Sequence, residues 1–362
     1  MLAPRPGILD IEPYTPGKSA VAGVAKPIKL SSNEGALGPS PRAVAAVEAA
    51  AAEMHRYPDG GAMRLREAIG RRHGLDPARI VCGAGSDEFF YNLARAYAGP
   101  DDEILMTEHA FNMFPIVALS VGAKPVEAKE ANLTASVDNL LALASKRTRI
   151  VFLANPNNPT GSYLPVDAVK RLHAGLAKDV LLVLDGAYAE YVVKNDYSPG
   201  IELVDAHDNV VMTRTFSKIY AMGGLRLGWM YGPPAIVDVM NRLRSPFSVS
   251  SAAQAAGIAA LQDAAFIAAS RDHNATWLPW LTERLRETGL AVHPSVANFV
   301  LVRFPKDAGR DAASAMTFLN ARGIIPRQTA VYKLPDCLRI TIGREDEMRA
   351  VVSALAEFMG KR

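Results

Sequence analysis

The sequence predicts an α/β fold: a mainly parallel sheet flanked by helices, followed by a smaller α/β lobe. From residue 79 to about 232, short apolar runs bounded by turn residues alternate with longer helical patterns, which is how βαβ units read along a chain. Polar or Gly-rich segments follow directly on several of those runs, and sheets of this kind place their ligands at the carboxyl ends of their strands. A chain of 362 residues that is 49% hydrophobic exceeds the size at which a single core stops growing, so two packed lobes are expected.

The elements follow in order. Residues 1–32 are rich in Pro and Gly, as in Pro13-Tyr14-Thr15-Pro16-Gly17-Lys18. They read as an extended arm that gains order by lying on another surface, a partner subunit being one such surface. The alanine-dense stretch 43–54 is a helix, because Ala and Glu are strong helix formers. Strands are expected over 79–82, 103–107, 149–154, 180–184, 210–215 and 227–231. One long helical stretch covers 251–288 and leads to a strand at 298–304, a helix at 311–321 and a strand at 338–342. In the final helix, 345–359, Met348, Val351, Val352, Leu355 and Phe358 recur near 3.6 residues and present one face to a sheet. The expected division is an arm (1–32), a large domain (33–250), and a connecting helix with a small domain (251–362) to which N-terminal residues also contribute.

Composition narrows the function. Forty basic and 37 acidic residues are interspersed for a net charge of +3, with no basic block, so nucleic acid is not an expected partner. Cys82 and Cys337 form no C-x-x-C pair, which suits buried free thiols in a reducing compartment, the cytoplasm. The seven histidines show no metal spacing, and no metal is expected. The N-terminus has no signal-like apolar region and no apolar run reaches the roughly 18 residues of a membrane span.

Four segments carry chemistry. Gly83-Ala84-Gly85-Ser86-Asp87-Glu88 joins a strand to the helical run 89–97, so its amides open a helix N-terminus suited to phosphate. An ordinary βα turn capped by Ser86 or Asp87 would look the same. In Asn155-Pro156-Asn157-Asn158-Pro159-Thr160-Gly161, two Asn-Pro steps hold a side-chain amide rigidly toward the sheet edge, where it can donate to a phenolate oxygen. Asp185 emerges from the apolar run 180–184, where a buried carboxylate needs a cationic partner such as a protonated pyridine; a helix cap is the competing role. Tyr188 follows three residues on, either beside a cofactor's phenolic oxygen or in the core. Lys218, in Thr215-Phe216-Ser217-Lys218, precedes Arg226 by eight residues. A buried amine beside a cationic neighbour is depressed enough in pKa to attack an aldehyde, while the arginine pairs with a phosphate. Phosphate donors, a phenolate donor, a pyridinium partner and an amine on one sheet edge together imply pyridoxal 5'-phosphate.

These segments, with Ser32-Asn33-Glu34, Arg56-Tyr57-Pro58 and Cys337-Leu338-Arg339-Ile340-Thr341, resemble the fold-type I, pyridoxal-phosphate-dependent aminotransferases, most closely the histidinol-phosphate aminotransferases, over nearly the whole chain. The resemblance implies a seven-stranded large-domain sheet and a cytoplasmic homodimer with shared sites, working in histidine biosynthesis with 2-oxoglutarate and glutamate as the second pair. It implies that Lys218 carries the cofactor, Asp185 pairs its ring nitrogen, and Asn158 with Tyr188 contacts its phenolic oxygen. Ala84, Gly85, Ser86, Thr215, Ser217 and Arg226 would hold its phosphate, joined by Tyr57 from the other subunit. Phe111 would stack on the ring, where many relatives have tyrosine. Asn33, Tyr14, Arg327 and Arg339 are the substrate candidates. In the alternating strand 337–342, Arg339 and Thr341 point opposite to Leu338 and Ile340, and a guanidinium fork suits a carboxylate or phosphate; a surface ion pair is the plainer role for each arginine. Two further departures stand out: Gly186 where Glu is usual, and Gly35-Ala36 where Asn-Pro is usual. An aromatic amino-acid aminotransferase would share the core residues, with Phe111 and Tyr14 lining an aromatic pocket. A decarboxylase of the same fold and a cofactor-binding regulatory module are the other readings.

Overall fold

Seven strands build the large sheet in the spatial order Ile80–Gly83, Gly228–Tyr231, Val210–Thr215, Leu181–Asp185, Thr148–Ala154, Glu103–Thr107 and Lys124–Ala128. The computed structural model describes residues 2–361. Gly228–Tyr231 runs antiparallel to both of its neighbours, and the other pairings are parallel. Six strands therefore point one way and end on one rim, at Gly83, Thr107, Ala154, Asp185 and Thr215 among others. The reversed strand brings its beginning to that rim, and so delivers Arg226, two residues before Gly228.

The central strands are buried on both faces, as expected of near-continuous Val, Ile and Leu runs covered by helices. Lys124–Ala128 was not among the six strands read from the sequence. With Lys, Pro and Glu in five residues it lacks an apolar signature, and Pro125 is tolerated because the strand lies at the edge.

The expected helix over 251–288 is two helices, Ser251–Gln262 and Ala264–Glu287, set 77° apart. Asp263 makes the break. One carboxylate oxygen accepts from the Phe266 amide at 3.3 Å and caps the second helix. The other accepts from Ser40 Oγ at 2.5 Å, and Ser40 itself caps Pro41–Ala51.

The small sheet is antiparallel, in the order Arg327–Gln328, Cys337–Thr341, Phe299–Arg303, Ala291–His293. Leu338 and Ile340 enter a core with Val300, Val302, Leu319, Met348 and Leu355, which turns Arg339 and Thr341 to the opposite face. Near the N-terminus the chain lies against the helix Met113–Ser120, where Arg5 Nη2 donates to the Ser120 carbonyl at 3.0 Å. Ile28–Lys29 then pairs parallel with Ile324–Ile325, joining the arm to the smaller lobe. Cys82 and Cys337 are free and buried. No single described helix is long and apolar enough to cross a membrane, and no group of three metal-ligating side chains converges among the described residues.

Candidate active site

A cavity of about 490 Å³ opens at the rim of the large sheet, and Lys218, Asp185 and Arg339 all face it. Lys218 stands in the turn after the strand Val210–Thr215, closed by a bond from the Ala221 amide to the Lys218 carbonyl at 2.9 Å. Its Nζ reaches the Ser32 carbonyl at 3.4 Å and lies 5.6 Å above the Tyr188 ring. Burial, and then the Arg339 charge, bring the amine down to about 8. An amine in that range is neutral often enough near neutral pH to act as a nucleophile and base.

Asp185 ends the neighbouring strand. Its Oδ1 accepts from the Ala187 amide at 3.2 Å and from Thr213 Oγ1 at 3.3 Å. Burial, reinforced by the negative Asp87, pushes its carboxyl up to about 7. Among the described residues no lysine, arginine or histidine forms an ion pair with it, although it borders the cavity. A buried carboxylate without a cation is costly, and a protonated pyridine nitrogen fits that need. The donor set around it fits the rest of the group. Tyr188 OH accepts from Asn33 Nδ2 at 2.8 Å, which leaves its own proton for another acceptor, and burial holds that hydroxyl protonated with its pKa at about 12. Asn158 Oδ1 accepts from Arg339 Nη1, so its amide NH₂ remains to donate.

The anion cradle lies beside Lys218. Thr215 Oγ1 and Ser217 Oγ are 3.0 Å apart and both border the cavity. Arg226 reaches Asp87 Oδ2 at 3.3 Å with Nη2 and the Gly223 carbonyl at 3.1 Å with Nη1. The helix Asp87–Tyr97 opens here, and the Ser86 side chain makes no capping bond, so the plain capped turn is not what forms. Ser86 and Asp87 line the cavity, whereas Ala84 and Gly85 do not. The Ala84 amide instead donates to Glu88 Oε2 at 2.5 Å, which corrects its expected place among the free donors. Gly85, at φ +85°, allows close approach: a Cβ there would come 2.5 Å from Arg226 Nη2.

Arg327 and Arg339 are cross-strand partners in the small sheet, only 8% and 4% exposed, so neither is a surface ion pair. Arg339 Nη2 donates to the Ser31 carbonyl, and Arg327 Nη2 to the Thr15 carbonyl, each at 2.7 Å. Among the described residues neither has a carboxylate partner. Like charges directly opposite repel, so this face is built to receive an anion. Tyr14, Asn33 and Phe111 also line the cavity. Tyr57 does not: it is 82% exposed and stacks on Phe247 with ring centroids 4.6 Å apart.

Two features escaped the sequence reading. Tyr332 borders the cavity from the turn after Arg327, with no local signal. Arg214 forms a buried pair with Glu190 at 2.7 Å, and a charged residue inside the apolar run 210–215 was the available signal. Gly186 packs closely against that arginine, where a Cβ would lie 3.0 Å from Arg214 Cδ.

A mainly parallel sheet whose rim gathers a buried lysine, a buried carboxylate without a cation and a hydroxyl and arginine cluster in one cavity is the arrangement of a fold-type I transferase. The family model for aminotransferase class I and II matches residues 25–355, and the chain belongs to that family. More particularly, it is 62% identical over 358 residues to the histidinol-phosphate aminotransferase of Paramagnetospirillum magneticum, covering 99% of each chain. It is 60% identical to that of Rhodospirillum centenum, covering 98% of each. Among solved structures it resembles the histidinol-phosphate aminotransferase of Sinorhizobium meliloti in complex with pyridoxal-5'-phosphate, with TM-score 0.86, 30% identity, and 94% and 91% of the two chains covered.

Proposed function

We propose that this chain transfers an amino group from histidinol phosphate to 2-oxoglutarate by ping-pong chemistry, with pyridoxal 5'-phosphate carried on Lys218. The meeting of the Lys218 amine, the Asp185 carboxylate and the two arginines in one cavity carries the reading. When bound, the cofactor supplies an aldehyde carbon to receive the amino group and a ring that takes up the electrons released at the donor carbon. Asp185 keeps a proton on the ring nitrogen. Tyr188 OH and Asn158 Nδ2 would donate to the phenolic oxygen, and Phe111, which lines the same cavity, would pack against the ring. Thr215, Ser217, Arg226 and the amides that open the helix at Ser86 hold the phosphate. Lys218 Nζ, neutral above about 8, would hold the cofactor aldehyde until the donor's amine takes its place, and the amine so freed would take the proton from the amine-bearing carbon of the donor. Arg327 and Arg339 hold the donor's phosphate in one half-reaction and a glutamate carboxylate in the other. A phosphate carries up to two negative charges and matches the paired guanidiniums better than the singly charged carboxylate of an aromatic amino acid, so the phosphate-bearing donor is preferred.

The same reading assigns exposed Tyr57 to the cofactor phosphate of a second copy, in a homodimer with shared sites. It places the enzyme in the cytoplasm, in histidine biosynthesis, and divides the chain into an arm (1–32), a large cofactor domain (33–250) and a connecting helix with small domain (251–362). The test is a donor panel of histidinol phosphate, phenylalanine, tyrosine and aspartate compared by kcat/KM with 2-oxoglutarate. Histidinol phosphate is expected to lead. Phenylalanine ahead by more than about a hundredfold, roughly 2.7 kcal/mol, would overturn the substrate assignment.

A further inference from the structure

Asn298 precedes the small-sheet strand Phe299–Arg303 and is 2% exposed. It does not line the active-site cavity. Its Nδ2 donates to two backbone carbonyls, that of Asn33 at 3.1 Å and that of Glu34 at 3.2 Å. This loop needs holding. Asn33 has φ +56°, a left-handed conformation that asparagine adopts more readily than most residues and that tertiary contacts fix as a single state. The loop is confined on its other side as well. A Cβ at Gly35 would lie 2.7 Å from Ala221 Cβ and 3.1 Å from the Lys218 carbonyl, which is why the usual Asn is replaced here.

What the loop delivers is the Asn33 side chain, whose Nδ2 donates to Tyr188 OH at 2.8 Å. That bond occupies a lone pair of the phenol and leaves its proton to point elsewhere. The neighbouring Phe299 meets the same tyrosine from a second direction, edge-on to its ring at 5.3 Å, and lies 5.4 Å from the Arg339 guanidinium carbon. Two consecutive residues at the start of this strand, Asn298 before it and Phe299 in it, thus reach Tyr188, one through the loop and one directly.

Given the cofactor reading of this cavity, we propose that Asn298 is a positioning residue for the reaction: its amide sets the Asn33–Glu34 loop and, through Asn33, directs the Tyr188 hydroxyl into the site. Only an amide serves. An aspartate of the same size would set acceptors against two carbonyl oxygens.

The test is a pH titration of the bound cofactor's absorbance band, without donor, in the wild type, Asn298→Ala, Asn298→Asp, Asn33→Ala, and the Asn33→Ala/Asn298→Ala double variant. Asn33→Ala is expected to move the midpoint by about 0.5 on the pH scale or more, since a hydrogen bond near the phenolic oxygen is lost. Asn298→Ala moves it in the same direction and adds nothing in the Asn33→Ala background, the signature of one residue acting through another. The donor's kcat/KM falls about tenfold in Asn298→Ala and about a hundredfold in Asn298→Asp, chiefly in kcat, as expected when a buried bond is lost and then replaced by repulsion. A lowered Tm with an unmoved midpoint in Asn298→Ala, or shifts that sum fully in the double variant, overturns the proposal. If Asn298→Asp does not fold, the two alanine variants decide it alone. A wild type that, given the cofactor, shows no bound-cofactor band at any pH overturns the cofactor reading itself, and the inference with it.

Discussion

On the large-sheet side of the pocket, Asp185, Thr215, Ser217 and Lys218 sit at or just beyond strand ends, whereas on the small-sheet side Arg327 and Arg339 stand within strands as cross-strand partners. Strand-end groups are placed by topology: six strands pointing one way and one reversed bring them to a single rim. Moving any of them means refolding the sheet. Mid-strand groups are placed by side-chain alternation and can be exchanged without disturbing the backbone. The difference suggests that the rim carries chemistry common to the whole family while the arginine face selects the molecule that reaches it.

The comparison can be tested from its strongest point downward. Lys218→Ala removes the amine assigned to move the donor's proton, so kcat should fall by about 10⁴-fold or more with every donor, measured in single turnover with Tm as the folding control. Unequal losses across donors would mean that the rim takes part in selection.

Asp185→Asn should lower kcat by about 10²–10³-fold, the range for losing one preorganised electrostatic partner. It also has a stability signature. The folded carboxyl titrates at about 7, above the roughly 3.9 of an unfolded aspartate. Its contribution to the cofactor-free protein is therefore fully present below about 4 and is lost as pH rises through about 7. Tm of the cofactor-free wild type should drop between pH 5 and 8 by more than that of Asp185→Asn.

Arg339→Ala should lower the donor's kcat/KM by about 10–100-fold, the loss of roughly 1.5–3 kcal/mol of charge-assisted bonding. Phosphate-bearing and carboxylate donors should suffer differently. An equal loss in kcat for all donors would erase the distinction between the two faces. The smallest effect is a matter of pH. Cofactor uptake by the cofactor-free protein needs the neutral Lys218 amine, which titrates at about 8, so its rate should rise up to about tenfold per pH step below that value and flatten above it. A flat profile from pH 6 to 9 would contradict the depressed amine.

Much of the rim was legible in advance because its signals are local. Apolar runs closed by Gly83-Ala84-Gly85, Asn155-Pro156 or Asp185-Gly186 announce strand ends wherever the strands finally lie. Lys124–Ala128 was missed because an edge strand needs little apolar character, and the reversal at Gly228 because a strand pattern carries no direction. The break at Asp263 depends on Ser40, far away in the chain. The engagement of the Ala84 amide by Glu88 was also invisible, since a turn sequence does not say which side chain folds back over it.

By itself the sequence determined which chemical groups are present and which elements carry them, because hydrophobic period and turn chemistry act between near neighbours. The tertiary structure decided their charge and company. It buries Lys218 beside Arg339, leaves Asp185 without a cation, sets Arg327 against Arg339, and lets Asn298 hold the loop that reaches Tyr188. Each of these depends on desolvation and on contacts between distant segments, which exist only after the chain has closed on itself.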